Sequence, residues 1–557
     1  MKKQILFIFL LLFILSGCSK YSLREDEILQ RRDVLESAEP NLLLSSVIQK
    51  SAYTYHGLGG VNANMIATAM QYMQGNRGAG DNIYEGWQKP KGELYSITAQ
   101  IKLVQAAIEI VHEKKLKSYE GIFKIFNVLL WATATDIYGD IYYTEGLKGQ
   151  EGILFPVFDE QKSIYPALIQ DLKNASQLIA EGTEPLDKTY DLFYGGDKVK
   201  WIKFANSMRL RLLMRASTKL ANAASEIAAV AALPLMTDTP DNASIPYVGG
   251  DRTYSWPMGA LYMGYTDNFL LKRPSKTLVD SLKALNDERL KVWVAPIERP
   301  WTNTLDSINL NTFTDPTTKV KYGKRTISQK GYNYDVLWQY LDRSITQIRN
   351  VYPLIQDSLT LYAGYPAGSF IDVLGANGSL EFPDTKWNYK VSIFSKLLNE
   401  NSNTLLRAAV LQADEVYFLL AEANVRGYIT SGSAEDYYKK GVEMALKRWG
   451  EPLPSAYFNN PKAKFPATGS TSQKLAKIGL QKWLGLFLMG VESYADYRRT
   501  RVPYIEKNAY LGTTNYVFPL RFRYPETEMA NNSINYQAAI AKLDKGDTEF
   551  SKMWLLQ

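Results

Sequence analysis

A single cysteine and two histidines among 557 residues set the first limits. Zinc sites of the Cys/His type, disulfide frameworks and iron–sulfur clusters all need more thiols or imidazoles than the chain holds. A Ser-His-Asp triad would have to use His56 or His112. Charge of one sign is not concentrated either. The 64 basic and 57 acidic side chains are interspersed, so the net charge of +7 forms no nucleic-acid footprint. Beyond the N-terminus, no stretch reads as long and apolar enough to cross a membrane. Walker A, HExxH, GxSxG and EF-hand patterns are absent. Gly75-Asn76-Arg77-Gly78-Ala79-Gly80 is glycine-rich, but it lacks the Lys-Ser/Thr pair and preceding strand of a phosphate cradle. It reads as a loop after a helix.

What the chain does hold is aromatic: 37 tyrosines and 11 tryptophans, in a 46% hydrophobic composition able to bury a sizeable core. Its N-terminus has a separate logic. Lys2 and Lys3 precede an apolar run, Ile5 to Leu15, that is too short to span a bilayer. The run meets Leu15-Ser16-Gly17-Cys18, which resembles a bacterial lipobox: an aliphatic residue, two small residues, then the thiol that is acylated. Residues 1–17 are therefore expected to be a lipoprotein signal peptide, with lipidation at Cys18. Each buried CH₂ of the acyl chains contributes ~0.8 kcal/mol, so such an anchor holds permanently and membrane attachment is by lipid alone. Serine at position 19, rather than aspartate, is compatible with export to an outer membrane. The charged stretch 18–40 reads as a tether that lets a folded body stand off the lipid.

The body, 41–557, reads as one domain, with a helical scaffold mainly over 41–225 and 401–500, a loop-rich insertion over about 228–400 and a C-terminal segment over 501–557. In 94–116, Ile97, Ile101, Val104, Ile108 and Val111 recur at spacings that line one helix face. A second helix is expected over 119–138, stopped at Gly139. The pair resembles one tetratricopeptide unit, and 404–426 with 434–449 is a further candidate pair. There Ala434 and Gly441 are small residues that let helices approach, and Tyr438 fills the gap. The fold class expected is mainly α, a tetratricopeptide-like hairpin scaffold with long irregular insertions. The insertion scatters proline, glycine and asparagine and holds five of the eleven tryptophans. Long loops of this kind commonly carry recognition surfaces.

Charged groups within the helices read as structural. Arg209, Arg211 and Arg215 alternate with the apolar stripe Trp201, Phe204, Met208 and Leu212, which suits stems packed over neighbouring helices and heads paired with acids. Asp496, Arg498 and Arg499 suggest a similar network. Asp136/Asp140 and Asp287/Glu288 could in principle act as acid and base on a glycoside, but a pair on one helix seldom straddles a sugar. No cofactor is implied. Scattered Asp and Asn loops could hold a structural calcium ion, but no loop has a recognisable ligand spacing.

The lipobox, WATATDIYGDIYYTEGL (131–147), KWIKFANSMRLRLLMRAS (200–217), LQADEVYFLLAEANVRG (411–427), GVESYADYRRTRVP (490–503) and RFRYPETEMANNSINYQAAI (521–540) occur in order along nearly the whole mature chain. Together they resemble the SusD/RagB group of Bacteroidetes outer-membrane lipoproteins, in its SusD-like second branch. The resemblance implies a cell-surface protein without catalytic chemistry. Such a protein captures oligosaccharides, or peptides in the RagB case, and delivers them to a SusC-like TonB-dependent transporter on which it sits as a lid. By position in that family, Asn76, Arg77 and Trp87 of the loop 75–87 are implied as ligand contacts.

Independently, an aromatic ring offers a flat apolar face to the C–H face of a pyranose while neighbouring polar groups bond its hydroxyls. Tyr84, Trp87, Tyr254, Trp256, Trp301, Tyr362, Tyr365, Trp387 and Tyr389, all in loop-like text, are the candidate rings. Trp131, Trp201, Trp449 and Trp483 lie on helical stripes and are assigned to the core. A glycan importer component is the leading expectation. The alternatives are a peptide-binding RagB-like component, a surface glycoside hydrolase and a purely structural outer-membrane component.

Overall fold

The computed structural model describes residues 39–57, 65–75, 84–264, 272–305, 310–317, 319–342, 344, 346–347, 360–367, 390–505 and 517–557. Five long helices build the first half: α1 (Pro40–Gly57), α2 (Glu93–Glu113), α3 (Lys117–Tyr138), α4 (Gln161–Glu181) and α5 (Lys198–Arg215). Successive helices pack as hairpins, α2 on α3, α3 on α4 and α4 on α5, while α1 lies against both α2 and α3. The expected hairpin over 94–138 is present with its turn at 114–116 instead of 117–118, and Gly139 at φ 91° ends α3 as its amide donates to Thr135 O at 2.8 Å.

Helix α3 is buried on nearly every side, which explains why its apolar residues show no single stripe. Its Gly121 permits this crowding. A Cβ there would lie 2.6 Å from the Ala175 carbonyl oxygen and 2.7 Å from the Ile179 side chain, both on α4. Helix α2 is long and apolar enough by length and composition to cross a membrane, a feature the sequence reading passed over. Its Leu94, Ile97, Ile101, Val104 and Val111 are buried, so core packing accounts for that apolarity.

A short helix α6 (Ala223–Ala231) leads into the insertion. The chain then forms α7 (Pro257–Gly264), α8 (Lys276–Leu285) and α9 (Arg289–Trp293). The expected irregularity is corrected here, because four segments between Trp301 and Tyr340 build a sheet. Strands β4 (Trp301–Thr302), β5 (Asn311–Thr314), β6 (Lys321–Gln329) and β7 (Tyr332–Tyr340) are ordered β4-β7-β6-β5. The β6–β7 hairpin turns at Lys330 and Gly331, both at positive φ, which is the geometry a two-residue hairpin turn requires. Three short strands lie outside this sheet: β1 (Met73–Gly75), β2 (Ala243–Pro246) and β3 (Lys272–Pro274), with β1 antiparallel to β3.

The second helical block comprises α10 (Ala413–Val425), α11 (Ala434–Lys447), α12 (Thr471–Gly485) and α13 (Gly490–Thr500). The expected helix start at 404 is corrected to Ala413. Residues Arg407–Leu411 are strand β8, paired antiparallel with β2 from Ala243↔Leu411 to Pro246↔Arg407. On α11, a Cβ at Gly441 would lie 2.6 Å from the Phe418 ring of α10, the close approach its small side chain predicts. Ser470 and Gln473 close a reciprocal capping box on α12. Two short helices, α14 (Glu526–Asn531) and α15 (Ser533–Ile540), end the chain's regular structure apart from a final turn at Trp554–Leu556.

Buried ion pairs join the two blocks. Arg211 on α5 donates to Glu415 on α10 through Nε (2.7 Å) and Nη2 (2.6 Å). Arg215 bridges Asp136 of α3 and Glu492 of α13. Burial opposes ionisation of Glu492, yet Arg211 and Arg215 together hold its carboxyl below the usual range. Lys482 and Arg499 meet Asp496 at 2.9 and 2.7 Å. Arg209 pairs with Glu226 on α6. The arginine heads are thus structural ties between helices, as their spacing predicts.

Candidate ligand-binding site

The two acidic pairs considered for glycoside chemistry are engaged elsewhere. Asp136 is held by Arg215 and Tyr165, and Asp140 accepts the Gln161 amide at 2.9 Å. Asp287 is buried with Arg289 (2.7 Å) and the Tyr457 hydroxyl (2.6 Å), while Glu288 pairs with Lys291 at 3.2 Å. His112 lies exposed, 3.0 Å from Glu120. Among the described residues, no group of three or more His, Cys, Asp or Glu is placed to hold a metal ion.

An open cleft of about 470 Å³ lies where the end of α1, the first turns of α2 and the loop between β2 and α7 converge. Gln49, Lys50, Tyr53 and Thr54 reach it from α1, and Ser96 and Gln100 from α2. Tyr247, Arg252, Thr253, Tyr254 and Ser255 complete the wall. Tyr53 stacks on Tyr247 with centroids 4.7 Å apart and planes 18° from parallel. Burial raises both phenols above their ordinary range, so each keeps its proton. Beneath the stack, the Tyr247 hydroxyl meets His56 Nδ1 at 2.9 Å, and the Trp256 ring lies 5.3 Å from His56 and 5.6 Å from Tyr247. Burial drives His56 down to about 3, so its ring is neutral.

The loop that carries Tyr254 is shaped by its own sequence. Gly249 and Gly250 take positive φ, and Asp251 Oδ1 accepts from the amides of Thr253 (2.7 Å) and Tyr254 (3.2 Å). The Gly249 amide donates to Tyr254 O at 3.0 Å, closing the turn. The Trp256 amide donates to Asn401 O at 2.7 Å, and a Cβ at Gly259 would fall 2.0 Å from Glu400 O, so the loop and α7 sit hard against residues 400–401. A loop held in this way presents its rings with little left to order on binding.

Of the sequence candidates, Tyr254 lines this cleft and is 42% exposed. Trp256 is 2% exposed and forms part of the packing below it. The remaining described candidates are placed elsewhere. Trp87 is buried between Tyr494 (5.2 Å) and Phe522 (4.8 Å), and Tyr84 is half-buried against Phe518. Trp301 is buried on β4 with Lys390 Nζ 4.7 Å over its ring, and Tyr365 is buried where it bridges to Ser275. The half-buried Tyr362 donates to Gln329 Oε1. Trp87, Trp256, Trp301 and Tyr365 are therefore corrected from open platforms to core anchors, because packing covers the faces a sugar would use. Cys18, Asn76, Arg77, Trp387 and Tyr389 lie outside the described residues.

Sequence reasoning passed over Tyr53, Tyr247, Gln49, Lys50, Gln100 and Arg252. Tyr53 sits in helical text, where a ring reads as core. Tyr247 is followed by Val-Gly-Gly-Asp-Arg-Thr-Tyr, a turn signal rich in polar groups that could have marked the whole loop.

A mainly helical body of stacked hairpins is the fold shared by SusD homologues among the solved structures. The chain belongs to the SusD-like family described as "Starch-binding associating with outer membrane", whose model matches residues 32–329 and 374–525. Among curated proteins none matches the sequence. Solved structures share the fold. A SusD homologue from Bacteroides fragilis is 21% identical with a TM-score of 0.68, over 94% of this chain and 100% of that one. A chitin-binding protein is 24% identical with a TM-score of 0.69, over 93% and 100%. A chitin-binding SusD homologue from Flavobacterium johnsoniae is 19% identical with a TM-score of 0.66, over 92% and 98%.

Proposed function

We propose that this chain is a lipid-anchored binding protein of the outer cell surface. It captures oligosaccharides at the cleft between α1, α2 and the 247–257 loop, then releases them to a SusC-like TonB-dependent transporter. The observation that carries the reading is the pairing of rings with hydrogen-bonding side chains in one open cleft. Tyr53 and Tyr254 supply aromatic surface, with the buried Tyr247 stacked behind Tyr53, and Gln49, Lys50 and Thr253 supply donors and acceptors. Membership of a starch-binding family and the chitin-binding relatives of like fold support a sugar as the ligand. The role is binding without bond cleavage, in keeping with the family and with acidic pairs already engaged in ion pairs and hydrogen bonds of the fold. Cys18 would carry the anchor.

The test is titration calorimetry of the chain from Ser19 onward against chito- and malto-oligosaccharides, with pooled tryptic peptides as the competing class. Saturable sugar binding that Tyr254→Ala weakens by about fivefold to tenfold supports the assignment, since a well-placed ring contributes about 1 kcal/mol or more. Peptide binding without sugar binding would transfer the cleft to the RagB-like role.

A further inference from the structure

The first cleft takes Ser96 and Gln100 from α2. The next flank of the same turns, carrying Tyr95, Thr98, Ala99 and Lys102, opens into a second cleft of about 410 Å³. At 100° per residue the two sets lie on adjacent sides of one helix, separated by an exposed ridge. We propose that this second cleft is a further carbohydrate subsite, and that one oligosaccharide lies across α2 with its ends in both. The proposal rests on the glycan reading of the first cleft.

The second cleft has the chemistry of a sugar platform. The Tyr95 ring is 39% exposed, and its hydroxyl donates to Glu528 Oε1 at 3.3 Å, which fixes the ring's outer edge. Glu528 is nine-tenths buried at the base of the cleft, where Tyr142 also contributes to the wall. Burial raises its carboxyl above the usual range. Lys102 and Asn531 add hydrogen-bonding groups around the ring, and Leu154, 71% exposed, adds apolar rim.

The rim is tied in place: Asn532 Nδ2 donates to Pro156 O at 2.8 Å and Asn535 Nδ2 to Phe155 O at 2.9 Å. An apolar rim held by side-chain amides of Asn532, between α14 and α15, and of Asn535 on α15 is a preformed surface, which lowers the entropy lost on binding. A helix with its side chains is about 10–12 Å across, a span of a few sugar units. Joining two weak contacts through one chain makes the second effectively intramolecular and raises affinity steeply with ligand length.

The experiment is a chain-length series: chito-oligosaccharides and malto-oligosaccharides of two to eight units, titrated into the wild-type chain, Tyr95→Ala and Asn531→Ala. Circular dichroism confirms that each variant is folded, and Asn531→Ala, which leaves the Tyr95–Glu528 bond in place, serves where Tyr95→Ala is unstable. The expected result is wild-type affinity that climbs about tenfold or more with length. Either substitution should flatten that climb without weakening the shortest ligands. A length dependence that is flat in the wild type, or unchanged in both variants, removes the second subsite while leaving the first cleft as a sugar site. If no oligosaccharide binds the wild type, the glycan reading itself falls and this inference with it.

Discussion

The Tyr247 hydroxyl lies 2.9 Å from Nδ1 of His56, and this buried contact supports the Tyr53–Tyr247 stack that faces the first cleft. This part of the cleft wall therefore rests on a neutral imidazole packed beside Trp256.

That imidazole makes stability depend on pH. Burial lowers His56 from 6.5 to about 3, so the folded state binds its proton less readily than the unfolded state does. The contribution is fully present above pH 6.5 and is lost as pH falls from there toward 3, at ~1.4 kcal/mol for each pH unit crossed. Urea midpoints measured at pH 7.5 and pH 5 should therefore separate more for the wild type than for His56→Asn, which can still meet the Tyr247 hydroxyl. Equal separations in both proteins would place the pH dependence elsewhere.

Trp87 offers a check on the division between core and cleft. Its ring is wholly buried against Tyr494 and Phe522, so Trp87→Ala should destabilise the fold by about 3–5 kcal/mol. Calorimetry on the folded fraction should give oligosaccharide affinity close to wild type, whereas Tyr254→Ala should do the reverse. A loss of affinity in Trp87→Ala at full foldedness would return this ring to the ligand surface.

The contrast between these two rings shows what the sequence could and could not convey. Helix hairpins were legible because the spacing of Ile97, Ile101, Val104 and Val111 matches the helical period, and the small residue at Gly441 meets Phe418 where its position predicts. The hairpin β6–β7 was also written in the chain. Tyr334, Val336 and Trp338 alternate buried with exposed Asn333 and Asp335, a period of two hidden under a search for helices. The cleft was harder to read, since loop-like text around an aromatic does not tell whether the loop packs inward or stands open. Trp87 and Trp256 fold under, Tyr254 stays out, and the difference lies in partners far along the chain, such as Phe522 and Asn401.

Gly121 tests the packing that sets the first hairpins. Alanine at an internal helix position normally gains up to about 1 kcal/mol over glycine. Here the added Cβ would press within 2.6 Å of the Ala175 backbone oxygen, which cannot rotate away. Gly121→Ala should therefore lower stability, by about 1–3 kcal/mol, the cost typical of overpacking. A rise in the denaturation midpoint would show that α3 and α4 can move apart freely.

The pairing of Arg211 with Glu415 fastens the two helical blocks, and its energetics can be separated by a double-mutant cycle. Both side chains are almost wholly buried, and the guanidinium also donates to Val410 O at 2.8 Å, so one group binds α10 and β8 together. Arg211→Met strands the Glu415 carboxyl in a buried site without its main partner, and the expected loss is about 3–5 kcal/mol. Glu415→Leu strands the arginine in the same way. Removing both eliminates the two buried charges at once, so the double variant should be less destabilised than the sum of the singles. Because Glu492 lies 3.4 Å from Arg211 Nε and shares Arg215, some loss should remain even in the double variant. Chemical denaturation of the four proteins measures each contribution. Strictly additive losses would mean that the two side chains act independently, and that shape rather than charge joins the blocks at this point.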